Sequence, residues 1–191
     1  MHVLIACEFS GIVRDAFRAR GHSAMSVDLL VSERPGPHEI GDALYWAYNQ
    51  DWDLMIAHPP CTHLAVSGAR YFKEKRRDGR QQAALRFVQA LLDAPIPRIC
   101  LENPVSIIST AIRRPDQIVH PWMFGHEESK ATCLWLKNLP LLRPTQVMQV
   151  RNKNLTPSGQ NKLGPSPDRW KERSRTYPGL AAAMADQWSN L

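Results

Sequence analysis

The amino-acid sequence predicts an open α/β fold, a mostly parallel sheet of the Rossmann-like type with helices on both faces. Short apolar runs suited to buried strands recur at residues 2–7, 23–28, 54–57 and 98–102. Helical patterns separate several of these runs, as in strand–helix–strand units. The polar residues with the most chemical potential follow directly after the runs, where ligands of such sheets bind, outside the carboxyl ends of the strands.

Taken in order, residues 2–7 give the first strand and residues 12–20 a helix that Gly21 ends, followed by a strand at 23–28. A polar segment containing Gly41 and Asp42 leads to the strand at 54–57, which runs into the turn Pro59-Pro60-Cys61. Residues 78–92 place Ala84, Phe87, Val88 and Leu91 at helical spacing and return the chain to a strand at 98–102. Later, Cys133-Leu134-Trp135-Leu136 suits a strand near the end of the sheet, and residues 179–188 a short Ala-rich helix. Residues 62–80 read as a mobile basic loop, and residues 152–177, with Pro157, Pro165 and Pro167, as a second long basic loop.

A chain of 191 residues buries roughly 70% of the surface its unfolded form exposes, enough for one domain spanning residues 1–191. Hydrophobic residues make up 43% and charged residues 22%, ordinary globular usage. No run approaches the ~20 apolar residues of a membrane span, and the first residues lack a signal-peptide pattern, so a cytoplasmic protein without a membrane partner is expected. Cys7, Cys61, Cys100 and Cys133 form no C-x-x-C pair, and the histidines lack metal spacing; neither a zinc site nor a disulfide framework is indicated. Cys7 and Cys100, inside apolar runs, read as small buried hydrophobes.

The net charge of +6 is concentrated. Residues 70–80 carry six Lys/Arg against Glu74 and Asp78, and residues 151–175 carry seven against Asp168 and Glu172. Such clusters are either solvated surface or a surface for phosphates.

Two motifs carry chemistry. In His58-Pro59-Pro60-Cys61 a cysteine ends a strand at a turn, where neighbouring positive charge or a helix N-terminus would favour its thiolate, although a structural turn cysteine gives the same pattern. In Glu102-Asn103-Pro104 a carboxylate follows the apolar run Ile99-Cys100-Leu101, and must either cap a loop or face a polar ligand. The two are 41 residues apart, one crossover, which places them at the ends of potentially adjacent strands.

On these residues the chain resembles the DNA cytosine-5 methyltransferases. Pro60-Cys61 matches their catalytic Pro-Cys motif and Glu102-Asn103-Pro104 their Glu-Asn-Val motif. Phe9-Ser10-Gly11-Ile12 looks like the start of their Phe-x-Gly-x-Gly cofactor loop, Asp28 like the acidic ribose-binding position, and Gly41-Asp42 like a further Gly-Asp pair. The resemblance covers about residues 1–105 and implies a single S-adenosylmethionine-dependent methyltransferase domain that methylates carbon 5 of cytosine in DNA. It implies Cys61 as nucleophile toward carbon 6, Glu102 at the ring N3 and exocyclic amine, and Asn103 orienting this loop. It further implies that Asp28 holds the ribose hydroxyls, Asp42 the adenine amine and Phe9 the adenine face, with backbone amides near Gly11 approaching the cofactor tail. Ser10 and Pro59 complete the expected cofactor site.

The chain departs from the family in three places. Val13 and Arg14 stand where the cofactor loop carries further glycines, and Pro104 replaces Val. Gln149-Val150-Arg151 matches the Gln-x-Arg motif that usually precedes a long target-recognition domain, yet only forty residues follow Arg151. In this the chain resembles compact phage-type members that lack that domain. Arg70, Lys73, Lys75, Arg76, Arg77 and Arg151 are then candidate phosphate contacts, and the target base must be flipped out or offered single-stranded. Two alternatives stay open: methylation of a free cytosine nucleotide, and a catalytically silent DNA-binding protein with this fold.

Overall fold

In a computed structural model that describes residues 1–149, 166 and 168–189, the predicted α/β architecture is found as one seven-stranded sheet. The strands are β1 His2–Ala6, β2 Ser23–Asp28, β3 His38–Ile40, β4 Leu54–Ala57, β5 Ile99–Pro104, β6 Gln117–Val119 and β7 Thr132–Lys137, in the order β3-β2-β1-β4-β5-β7-β6. β3, β2, β1, β4 and β5 pair in parallel, and β7 enters antiparallel between β5 and β6. The order reverses at β1, so a crevice opens between the carboxyl ends of β1 and β4, the switch point where ligands of doubly wound sheets bind.

Period-two alternation splits the central strand between two cores. Val3 and Ile5 point to the face covered by α1 (Ile12–Arg18) and α7 (Pro178–Gln187), and pack with Phe17, Met184 and Trp188. Leu4 and Ala6 point to the other face, covered by α2 (Ala43–Asn49) and α4 (Arg80–Leu92), with Val88, Leu91 and Trp135. Both indoles find acceptors, Trp188 Nε1 on the Pro140 carbonyl at 3.0 Å and Trp135 Nε1 on that of Arg113 at 2.8 Å. Burial of these rings therefore leaves no orphaned donor.

Three segments differ from the sequence reading. Residues 38–49, taken as polar connection, form β3 and α2, whose first turn is capped by Asp42 accepting from Leu44 N at 2.9 Å. Residues 62–80, read as a loop, carry a 3₁₀ turn at Val66–Tyr71 and α3 at Phe72–Arg77. The cause is an anchor on each side, Phe72 buried beneath and Lys75 Nζ donating to the Thr62 carbonyl at 2.5 Å. Within 152–177 the described part contains α6, Arg169–Ser174; residues 152–165 and 167 lie outside the described residues. Among the described residues no helix is long and apolar enough to cross a membrane.

Candidate active site

The parallel register of β4 and β5 builds one wall of the crevice. Ala57 pairs with Leu101, so the residues one step beyond, His58 and Glu102, come face to face. His58 Nδ1 lies 2.9 Å from Glu102 Oε2, with both side chains largely buried. Asn103, 1% exposed, turns under the next turn and donates from Nδ2 to the Pro59 carbonyl at 2.8 Å. Cys61 follows two residues later, half-buried, its carbonyl accepting from Leu64 N and Ala65 N. The Cys61 loop is sewn to the segment after β5 by Val66 N on the Val105 carbonyl, Ile107 N on the Leu64 carbonyl and a bridge between Ala65 and Ser106. The predicted catalytic residues Cys61, Glu102 and Asn103 are thus brought together, with Asn103 holding the turn that carries the cysteine.

Their charges are coupled. Burial favours the neutral form of His58, yet the hydrogen bond and charge of Glu102 outweigh it and raise the imidazole above its ordinary value. Burial likewise works to raise Glu102, and the His58 hydrogen bond and charge reverse this, holding the carboxyl below its usual range. The pair's contribution to stability is therefore fullest between the ordinary carboxylate and imidazole values. It fades as pH rises through the raised value of His58, and as pH falls through the lowered value of Glu102. For Cys61 the sequence suggested a favoured thiolate; the opposite holds. Burial and the nearby Glu102 carboxylate push the thiol up, and the positive charges of Lys130 and Arg173 offset this only in part. No helix of useful length begins at Cys61, since only a single turn follows it.

The other wall, at the ends of β1 and β2, is organised differently. Glu8, 4% exposed, turns back onto the start of α1 and accepts from Val13 N at 2.7 Å and Arg14 N at 3.2 Å. Ser10 Oγ donates to the same carboxylate at 3.1 Å. Two expectations are corrected by this. The first amides of α1 are already occupied by an anion, and Ser10, 3% exposed, faces inward instead of lining the crevice. Phe9 is 7% exposed and its ring packs at 6.0 Å, tilted, on Trp170 of α6. Pro59 is buried as the acceptor for Asn103. Asp28 closes β2 with one oxygen accepting from Leu30 N at 3.0 Å, and burial raises its carboxyl despite hydrogen bonds from Leu30 and Leu29 and the histidines His38 and His58. Asp42 is exposed with one oxygen engaged in its helix cap. Burial, and after it the charges of Asp28 and Asp42, push the Cys7 thiol up to about 12. Cys7 is only half-buried and adopts φ 59°, the left-handed turn that ends β1, in contrast to the fully buried Cys100.

Arg14 explains the altered glycine loop. It is wholly buried, and its fork reaches Asp15, Ser26, Ser32 and the carbonyls of Arg34 and Pro35 at 2.9–3.3 Å. Gly11 (φ 70°) and Gly36 (φ 146°) flank the guanidinium so closely that a Cβ at either would lie within 3.0 Å of it. The loop closes on an arginine side chain of its own.

Of the basic residues expected to meet phosphates, Arg70, Lys73, Arg76 and Arg77 are exposed, with Arg70 over the Tyr71 ring at 4.6 Å. Lys75 is corrected: at 8% exposure, with its ammonium on the Thr62 carbonyl, it is a structural prop of the segment. Arg151 and Val150 lie outside the described residues. Sequence reasoning assigned no role to His58, Glu8 or Lys130, the last donating to the Arg173 carbonyl at 3.1 Å while its charge reaches Cys61, His58 and Glu102. Laying the two apolar runs side by side as parallel strands would have found His58, because it occupies the same step past its strand as Glu102.

No protein-family model and no curated protein sequence matches the chain. Among solved structures it is similar to one described as a candidate DNA modification methyltransferase encoded within an E. coli prophage, at 15% identity and a TM-score of 0.46. That likeness covers 87% of this chain and 56% of the other, so this chain spans little more than half of that protein's length.

Proposed function

We propose that this protein transfers a methyl group from S-adenosylmethionine to carbon 5 of cytosine in DNA, with Cys61 as the covalent nucleophile. The observation that carries the reading is the wall formed at the ends of β4 and β5. A cysteine, a buried carboxyl group and the amide that holds the cysteine's turn come together there from two motifs 41 residues apart. Carbon 5 of cytosine is too weak a nucleophile on its own; addition of a thiolate at carbon 6 makes it enamine-like. Cys61 supplies the sulfur once its raised thiol has ionised. Glu102 faces the ring N3 and exocyclic amine and limits the charge that builds up on the ring.

S-adenosylmethionine supplies an electrophilic methyl group when bound. The residues fit its nucleoside half, because Asp28 at the end of β2 and Asp42 at the start of α2 offer carboxylates, acceptors suited to ribose hydroxyls and an adenine amine. They fit its carboxylate less well, since Glu8 already places negative charge on the first amides of α1. Phe9 offers an aromatic face to adenine only where Trp170 gives way. Exposed Lys73, Arg76 and Arg77 suit a polyphosphate backbone, which favours DNA over a free nucleotide.

The test is to incubate the full chain with the cofactor and DNA containing 5-fluorocytosine. A covalent adduct that survives denaturation and is absent in Cys61→Ser is expected. Adduct formation with a free fluorinated nucleotide and none with DNA would move the substrate to the nucleotide.

A further inference from the structure

We propose that His58 is a positioning residue of this site and stores the proton that Glu102 delivers to the ring nitrogen of the target base. The inference rests on the reading of Cys61 and Glu102 given above. It begins from geometry that neither sequence motif requires. The imidazole is nearly enclosed, one nitrogen is committed to Glu102 at 2.9 Å, and Nε2 is buried with no hydrogen-bond partner among the described residues. An unmet buried polar atom costs free energy, so the hydrogen bond to Glu102 is what holds the ring in place.

The charged groups around the ring come from four elements. Glu102 lies in the carboxyl half of β5, Glu8 follows β1, Asp28 ends β2, and Lys130 precedes β7. Three carboxylates face a single ammonium, so the surroundings favour an imidazolium. A carboxylate held by an imidazolium can accept from the exocyclic amine of cytosine but has no proton of its own for N3, which in neutral cytosine is an acceptor. The imidazolium resolves this.

As Cys61 Sγ bonds to carbon 6, the C5=C6 electron pair moves to form C4=C5, and the former C4=N3 pair settles on N3. The Glu102 carboxylate takes the proton from His58 Nδ1 and passes it to N3, leaving a neutral imidazole. The thiolate charge is consumed in the S–C bond, the imidazolium charge is lost, and Glu102 ends as it began. After methyl transfer, water takes the proton from carbon 5, the C–H pair re-forms C5=C6 as the S–C6 bond breaks, and N3 returns its proton through Glu102 to His58.

The experiment compares the pH dependence of adduct formation on 5-fluorocytosine DNA for the wild-type chain and His58→Asn. Asparagine can keep a donor near the Nδ1 position but cannot titrate. The wild type should give a bell-shaped profile, rising as Cys61 ionises and falling as His58 loses its proton. In His58→Asn the alkaline limb should move to lower pH, and the rate on the wild-type plateau should fall roughly ten- to a hundredfold, with DNA and cofactor binding retained. A wild-type profile and rate in that variant would overturn the proposal. If His58→Asn does not fold by circular dichroism, the titration of His58 in the intact chain decides. Nitrogen-15 NMR should show an imidazole protonated above the ordinary histidine value, dropping in Glu102→Gln; a normal or lowered titration in the wild type overturns the proposal. Absence of any wild-type adduct would instead remove the methyl-transfer reading and this inference with it.

Discussion

At the ends of β4 and β5 the polar side chains reach across from one strand to the other, Glu102 to His58 and Asn103 to the Pro59 carbonyl. At the end of β1 they fold back on their own loop, Ser10 and the first amides of α1 to Glu8. The first wall keeps a cysteine and an incompletely bonded imidazole at the crevice, while the second spends most of its polar capacity on itself. Satisfied groups hold shape and leave little for a ligand, so the chemistry is expected to concentrate on the first wall and a substantial share of the stability on the second.

The largest expected effect tests the first wall alone. Cys61→Ser should reduce adduct formation below detection while the thermal midpoint and cofactor binding stay close to wild type, because a hydroxyl is a far poorer nucleophile near neutral pH. Retained turnover would sink the covalent reading. The complementary change is Arg14→Met on the second wall, which removes five hydrogen bonds from a buried site and leaves the Pro35 carbonyl without its guanidinium donor. It should lower stability by about 3 kcal/mol in urea unfolding, with Cys61 chemistry preserved in whatever remains folded. If Arg14→Met costs less than a surface substitution, the contrast between the walls is wrong.

A smaller effect is expected where the two walls meet the cofactor. Asp28→Ala should weaken S-adenosylmethionine binding by about 1–2 kcal/mol, the scale of a lost hydrogen bond to a charged group, and calorimetry that shows no change would dismiss Asp28 as a ligand. The smallest change concerns the rim. Replacing Lys73, Arg76 and Arg77 together should flatten the dependence of log DNA affinity on log salt by about two to three units if all three touch phosphates. Lys75→Met, by contrast, should leave the slope alone and lower stability, since its ammonium serves the Thr62 carbonyl.

Most of the sheet was legible because its strands announce themselves: residues 23–28 and 54–57 are apolar or small, bounded by polar turns, and coincide with β2 and β4. β3 and α2 were not, since three residues of an edge strand carry no period, and the helix is short with a polar start at Asp42. The site shows the same division. Cys61, Glu102 and Asn103 could be placed from strand ends and one crossover. The direction in which Ser10 and Lys75 point could not, because it depends on Glu8 in a folded-back loop and on the Thr62 carbonyl thirteen residues away. The fate of the Cys61 proton was misjudged for a related reason: the carboxylate that raises it arrives from a neighbouring strand, and the lysine that offsets it from before β7.

The enclosure of Arg14 also bears on how this chain can change over generations. Gly11 and Gly36 each lie against one guanidinium, so a side chain at either collides with it, and loss of the arginine leaves the Pro35 carbonyl without its donor. The three positions form one heritable unit in which a substitution at any of them is costly, since both glycines also adopt a positive φ that side chains rarely take. Descendants that carry a glycine at position 14 would lose the collision at Gly11 and Gly36, and both positions would still favour glycine for their positive φ.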